Sequence, residues 1–96
     1  MKMGGANMQQ MMKQAEQMKK QIEKTKAELS ETAIESSSGG GMVTITMNGD
    51  YEIFDLKIKP EAVDPDDIEM LEDMIIAAIN EAVSQVTQLR DAKLPI

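Results

Sequence analysis

A chain of 96 residues is long enough for one domain, but a domain of that size buries only a modest share of its surface. The chain has no cysteine and no histidine, which excludes disulfides, thiolate chemistry and the commonest metal ligand and general base. Within the net charge of −7, residues 1–29 contain six lysines and three glutamates, whereas residues 30–96 contain four basic and fourteen acidic side chains, a pattern that indicates a basic arm on an acidic body.

The first predicted element is a long amphipathic helix over residues 8–29. Asn7 is its predicted N-cap, and residues 1–6, which include Gly4 and Gly5, are predicted to be a disordered start. Apolar residues recur along the helix in alternating steps of three and four, the period of a coiled-coil seam. We call these positions the Met seam: Met8, Met11, Ala15, Met18, Ile22 and Leu29, with Thr25 as one polar interruption.

Three strands are predicted next. Residues 31–36 have the composition of a short strand, and the Ser/Gly stretch at residues 36–41 is predicted to be a wide, flexible hairpin loop. Residues 42–47 alternate apolar and threonine side chains, which is typical of a half-buried strand. Asn48-Gly49 is a strong hairpin signal, and residues 51–58 form the returning strand. Its imperfect alternation indicates either that both faces are partly covered or that a bulge shifts the register.

A second helix is predicted after residue 60. Asp64 is the predicted N-cap and Pro65 the first helical residue, with acidic side chains in the first turn, where they favour the helix dipole. The helix is expected to run to about Asp91, leaving residues 94–96 as a tail. The predicted fold is therefore α+β in the order α-β-β-β-α: a single domain over residues 7–93, in which two long helices overhang a three-stranded antiparallel sheet.

The second helix contains six consecutive apolar residues, residues 74–79. A helix that is apolar on every side must be covered on every side, and each methionine or isoleucine side chain of the run contributes about 1.5–3 kcal/mol on burial. The run therefore predicts a homodimer, although burial against the first helix and the sheet is the alternative. Asn80 would then be a buried polar residue that fixes register, or an ordinary surface residue. The predicted dimer interface consists of Leu71, Met74, Ile75, Ile76, Ala78, Ile79, Ala82 and Val83.

Three stretches of this sequence resemble the YbaB/EbfC family of bacterial nucleoid-associated proteins. Residues 8–15, Met-Gln-Gln-Met-Met-Lys-Gln-Ala, with Gln17 and Met18, resemble the family's Met/Gln-rich first helix. Residues 41–49, which end Thr-Met-Asn-Gly, resemble its central hairpin. Residues 69–82, Glu-Met-Leu-Glu-Asp-Met-Ile-Ile-Ala-Ala-Ile-Asn-Glu-Ala, are similar to its most specific segment. The resemblance covers about residues 8–90.

This resemblance implies an intertwined homodimer whose helices project from a sheet core in a tweezer-like shape. It also implies binding to double-stranded DNA with little sequence preference, and a cytoplasmic, nucleoid-associated location in a bacterium. One departure concerns the strand after the Asn-Gly turn, where some relatives carry basic residues. Here the middle of that strand is Phe54-Asp55, so that Lys57 and Lys59 are its only basic residues.

Basic residues of both helices are the predicted DNA contacts. With Met8 at heptad position a, Lys19 and Lys26 fall at e, Lys13 and Lys20 at f, and Lys24 at c. The four lysines at e and f are predicted to line one edge of the helix, away from Glu16 and Glu23 at b. Such charges can follow the phosphates of a duplex, and a dimer would present them twice. The alternative is an ordinary solvated helix face with local ion pairs. Arg90 and Lys93 near the end of the second helix would extend the basic surface.

Other functions find little support. The acidic residues at positions 64–73 lack the spacing and the central glycine of a calcium loop, so no metal site and no cofactor are predicted. No residues form a catalytic constellation, and the chain is predicted to be a non-enzyme without a small-molecule substrate. No apolar run approaches a membrane span. The alternative function is an acidic protein-binding adaptor or chaperone that uses its Met-rich helices as the contact surface.

Overall fold

The computed structural model describes the backbone of residues 3–95 and the side chains of residues 7–95. The chain forms helix α1 (Met3–Glu31), strands β1 (Ala33–Ser38), β2 (Val43–Asn48) and β3 (Ile53–Ile58), a short 3₁₀ helix (Pro60–Ala62) and helix α2 (Ile68–Lys93). The strands form one antiparallel sheet in the order β1-β2-β3. The predicted α-β-β-β-α order is confirmed. Neither helix in the described part of the chain is long and apolar enough to cross a bilayer.

Helix α1 begins five residues earlier than the sequence predicts. It starts at Met3, so Asn7 lies inside the helix and the prediction that it is the N-cap is wrong. Gly4 and Gly5 each disfavour a helix by about 1 kcal/mol, which does not stop one that continues for seven more turns. Residues 3–6 belong to the helix, and the other two residues of the predicted disordered start, Met1 and Lys2, lie outside the described residues.

Strand β1 extends to Ser38, so the prediction of a loop from residue 36 is wrong for its first three residues. The serines are accommodated because two of their hydroxyls bond to α2. Ser36 is 4% exposed, and its hydroxyl donates to the carbonyl oxygen of Ala78 at 3.0 Å. The hydroxyl of Ser38 donates to the carbonyl oxygen of Met74. The turn itself is confined to residues 39–42.

The core lies between α2 and the inner face of the sheet. Val43, Ile45 and Met47 alternate along β2 as predicted and are at most 2% exposed. They pack against Ala78, Ala82 and Val86 of α2, which are fully buried. Helix α2 lies over β1 and β2, so the inner face of β3 stays uncovered: Ile53 is 44% and Leu56 46% exposed.

The second hairpin is not a two-residue Asn-Gly turn. The backbone N–H of Asn48 bonds to the carbonyl oxygen of Glu52, and its side-chain oxygen accepts from the N–H groups of Asp50 and Glu52. Tyr51 takes the left-handed conformation, with φ of 65°. The pairing then shifts register, because Thr46 faces Asp55 whereas Met47 faces Ile53. The bulge at the intervening Phe54 explains the imperfect alternation of β3.

Helix α2 begins at Ile68, and its N-cap is Asp67, whose side chain accepts from the N–H of Met70 at 3.2 Å. The predicted cap, Asp64, instead accepts from the N–H of Asp66 in the turn before the helix, so that prediction is wrong. Both aspartates are suitable caps, but residues 64–67 form a separate turn, in which the N–H of Asp67 donates to the carbonyl oxygen of Asp64 at 2.9 Å. Pro65 lies in this turn, so the prediction that it is the first helical residue is wrong. The helix ends at Lys93, two residues beyond the predicted end.

The molecule is elongated, with extents of 80 × 18 × 15 Å. Its length comes from α1, which leaves the sheet near Leu29 and projects away from it. Leu29 is 1% exposed, whereas every side chain of residues 7–21 is exposed. Residues 7–26 of α1 therefore form an extended arm, which is named the α1 arm below.

Candidate nucleic-acid interface

An apolar face is left open between the side of α2 and the inner face of β3, which α2 does not cover. Arg90 bonds to the loop before β3 and Thr87 to Tyr51 in the same loop, which places this side of α2 toward β3. At about 100° per residue, Ile76, Ile79 and Val83 project on that same side. Ile76 is 55% and Val83 38% exposed. We define the open apolar face as these three residues together with Ile53 and Leu56 of β3.

The predicted interface residues divide into three groups. Ala78 and Ala82 are fully buried by their own chain and offer nothing for a partner to cover. Leu71, Met74, Ile75 and Ile79 pack against the core but remain half-buried, while Ile76 and Val83 are exposed. Asn80 is also exposed in the single chain. The apolar run is therefore only partly sheltered by its own chain.

The Met seam is uncovered along most of the α1 arm. Met8, Met11 and Met18 are 64%, 67% and 59% exposed. Toward the sheet, Ile22 and Thr25 become half-buried. There the end of α2 approaches α1, and a groove forms whose lining includes Met18, Ile22, Thr25, Lys93 and Pro95.

The lysines of the α1 arm lie in two rows. Lys13, Lys20 and Lys24 fall within about 40° of one another and opposite the Met seam, while Lys19 and Lys26 lie beside the seam. Both Lys19 and Lys26 line a shallow groove with Met18 and Glu23. Glu16 and Glu23 project between the two rows, so the lysines at positions e and f do not form one continuous basic edge. We call Lys13, Lys20 and Lys24 the outer lysine row.

These lysines are available for contact. All five lysines at positions 13, 19, 20, 24 and 26 are exposed, and in the part of the chain that the structure describes none forms an ion pair. The i,i+4 pairs that the sequence allows are therefore not made. Lys57 on β3 does pair with Asp55, at 3.9 Å between Nζ and Oδ2.

The two basic residues at the end of α2 differ in their exposure and in their contacts. Lys93 is exposed and lies in the groove beside α1, next to Gln17 and Gln21. Arg90 is half-buried and engaged: its Nη1 donates to the carbonyl oxygen of Gly49 at 2.9 Å and lies 3.6 Å from Oδ1 of Asp50. Its guanidinium also stacks over the ring of Tyr51, 5.6 Å from the centroid. Nothing in the sequence pattern signals this cluster, because its members lie about 40 residues apart.

The described residues contain no group of three or more acidic side chains placed to hold a metal ion. The acids before α2 instead serve local structure, since Asp64 and Asp67 bond to backbone N–H groups. Their negative charge also lies at a helix N-terminus, where the dipole favours it.

The sequence pattern of the YbaB/EbfC DNA-binding family matches residues 3–95, nearly the whole chain. The chain belongs to the YbaB/EbfC DNA-binding family. A nucleoid-associated protein of Staphylococcus saprophyticus is 63% identical over 91 residues, which cover 95% of this chain and 87% of the relative. A nucleoid-associated protein of Staphylococcus aureus strain JH9 is 60% identical with the same coverage.

A solved structure supports the fold of this YbaB/EbfC member. The crystal structure of the uncharacterized protein HP0035 from Helicobacter pylori matches it with a TM-score of 0.78 and 28% sequence identity, over 88% of each chain. The resemblance drawn from residues 8–90 is thus confirmed. Within this family member, the outer lysine row lies on the α1 arm and the open apolar face at the α2–β3 side, so these are two separate surfaces.

Proposed function

We propose that this chain is a nucleoid-associated protein that binds double-stranded DNA as a homodimer, through phosphate contacts and without catalysis. Membership of the YbaB/EbfC family supports DNA binding. The single observation that carries the mode of binding is the outer lysine row: three exposed lysines on a projecting arm, none of which is ion-paired to another described residue.

The proposed dimer uses the open apolar face. Its five side chains come from two elements, and the three whose exposure exceeds 40%, Ile53, Leu56 and Ile76, lie within β3 and α2 rather than at chain ends. A second copy that placed its own α2 against this face would cover the apolar side chains of α2 and of β3 at the same time. The residues we assign to the interface are Ile53, Leu56, Leu71, Met74, Ile75, Ile76, Ile79 and Val83.

The outer lysine row has the dimensions of a phosphate-tracking surface. Lys13 and Lys24 are eleven positions apart, or about 16 Å at 1.5 Å per residue. That length corresponds to roughly five base-pair steps of 3.4 Å. Because the row points away from the Met seam, covering the seam would leave it free. Lys93 lies at the base of the arm on the Met-seam side and is therefore separate from the row, and Lys19 and Lys26 form a second, mixed surface with Glu23.

Net charge limits the strength of this binding. The fourteen acidic side chains of residues 30–96 repel phosphate. The α1 arm must therefore make the phosphate contacts while the acidic remainder of the chain lies away from the DNA. Binding of this kind is nearly independent of sequence, weak at physiological salt, and steep in salt concentration. Two arms on one dimer could bridge or compact DNA.

A titration of random-sequence duplex DNA at several salt concentrations tests the proposal. The variant Lys13→Gln/Lys20→Gln removes four arm charges per dimer, and Lys57→Gln/Lys59→Gln removes four charges from β3 as a matched control. Because each lost phosphate contact lowers the logarithmic salt slope by about 0.9, the arm variant should lose up to about 3.6 units of slope. The control should keep its slope.

Two results would contradict the placement of the site. Equal loss of binding in both variants would indicate a general charge effect rather than contacts by the arm. Absence of binding by the unaltered chain at low salt would remove the DNA function itself. In that case the exposed Met seam would favour the adaptor alternative, since flexible methionine side chains suit variable protein partners.

A further inference from the structure

One glycine connects the α1 arm to the end of α2. The N–H of Gly49 donates to the carbonyl oxygen of Leu29, at the base of the arm, at 2.8 Å. The carbonyl oxygen of the same glycine accepts from Nη1 of Arg90 at 2.9 Å. The passage is tight, because a Cβ on Gly49 would collide with the carbonyl oxygen of Leu29 and lie 2.7 Å from its Cβ. The position of Gly49 therefore bears directly on the direction of α1.

Arg90 holds this loop from three directions. In addition to its bond to Gly49, it pairs with Asp50 and stacks on the ring of Tyr51. The hydroxyl of Tyr51 in turn lies 2.8 Å from Oγ1 of Thr87, one turn earlier on α2. A planar guanidinium can stack and donate hydrogen bonds at the same time, which a lysine ammonium cannot do. Its side chain is only 28% exposed, so little of it remains for an external ligand.

We propose that Arg90 is a positioning residue, which fixes the direction of the α1 arm relative to the sheet through Gly49, and that it is not a phosphate contact. The effect of Arg90 on DNA binding rests on the proposed function, whereas its effect on the direction of the α1 arm does not. Residue 10 lies nineteen positions from Leu29, or about 28 Å along the helix. We call the contact of Gly49 with Leu29 the joint. A rotation of the arm by about 10° at the joint would displace residue 10 by about 5 Å, which is more than one base-pair step.

Distance measurements between spin labels test the proposal without DNA. The chain has no cysteine, so Gln10→Cys on the arm and Glu35→Cys on β1 give two specific labels. Dilution of the labelled chain into an excess of unlabelled chain restricts the measured distance to one chain, whether or not it dimerises. In the Arg90→Gln variant the distance distribution should become about twice as wide. Lys57→Gln, with the same charge change away from the joint, should keep the original width, and Arg90→Lys should lie between them.

An Arg90→Gln distribution as narrow as that of the unaltered chain would overturn the proposal. If circular dichroism shows that this variant does not fold, Gly49→Ala tests the same joint. Its new methyl group displaces Leu29, and the mean distance should shift by about 5 Å. An unshifted mean in a folded Gly49→Ala chain would equally overturn the proposal.

Salt-dependent DNA binding separates the two roles of Arg90. A positioning residue should lower affinity about tenfold in Arg90→Gln while the salt slope stays constant, because the number of phosphates contacted is unchanged. A slope that falls by about 0.9 per protomer with no change in arm width would make Arg90 a phosphate contact and overturn the assignment. If the unaltered chain binds no DNA, the label distances still decide the role of the joint.

Discussion

Replacing Ile76 by glutamate should abolish the proposed dimer. Ile76 is 55% exposed in the single chain and is the most exposed residue of the open apolar face. In a dimer the remaining surface would be covered, and the substitution would place a carboxylate there. The matched control is Ala77→Glu, which adds the same charge to an exposed neighbour about 100° further round α2, in a groove lined by Ser38 and Gly39 and outside the open apolar face.

The magnitude follows from the exposed fraction. Full burial of an isoleucine contributes about 1.5–3 kcal/mol, so covering roughly half of Ile76 contributes about 1 kcal/mol per protomer and about 2 kcal/mol per dimer. Burying an unpaired carboxylate in each protomer adds several kcal/mol of cost. A total of at least about 4 kcal/mol corresponds to a dissociation constant about a thousandfold higher.

Sedimentation equilibrium over a range of concentrations measures this change. The unaltered chain and Ala77→Glu should sediment as dimers of the 10.6 kDa chain at micromolar concentration, and Ile76→Glu as a monomer. Circular dichroism should show that all three retain their helices. A folded, monomeric unaltered chain would refute the argument from the uncovered face, and an Ile76→Glu dimer of unchanged affinity would show that the interface lies elsewhere.

Three smaller predictions concern the fold, and thermal unfolding measures each of them. Ser36→Ala removes a buried hydrogen bond to α2 and should cost about 1 kcal/mol, or roughly 4–8 °C in Tm; an unchanged Tm would contradict the structural role of that hydroxyl. Asp67→Ala should lower the free energy of unfolding by about 1 kcal/mol, because it removes the N-cap, and Asp64→Ala should lower it by less. The reverse order would indicate that Asp64 is the N-cap, as the sequence predicts. Gly39→Ala should destabilise more than Gly40→Ala: both have φ near 60–67°, but only at Gly39 would the added Cβ collide with an α2 side chain. Equal losses would indicate that backbone strain alone matters.

Much of the architecture was predictable because its signals are local. The alternation of Val43, Ile45 and Met47 correctly identified the buried face of β2, and the seam period correctly identified α1 as one long helix. Motif resemblance correctly identified the family. The candidate lysines were also visible in the sequence, but their arrangement was misjudged, because Glu16 and Glu23 fall between the two rows on a helix of 3.6 residues per turn.

The boundaries and the joints were not predictable from local pattern. Ser36 and Ser38 resemble a flexible loop until α2, 42 and 36 residues away, supplies carbonyl oxygens for their hydroxyls. The choice between Asp64 and Asp67 as N-cap follows from the turn over residues 64–67, which ends before the helix begins. The sequence likewise places Arg90 on a basic helix end, and only the tertiary structure shows that its guanidinium is already bonded to the loop before β3.

The sequence by itself determined the order of the elements, the faces of β2 and α1, and the separation of a basic arm from an acidic body. These properties depend on side-chain periodicity and charge, which are local to each segment. Only the tertiary structure decided which apolar residues remain uncovered and how the α1 arm is held, because both depend on contacts such as those of Gly49 with Leu29 and Arg90. Such contacts join residues that are distant along the chain, and periodicity carries no information about them.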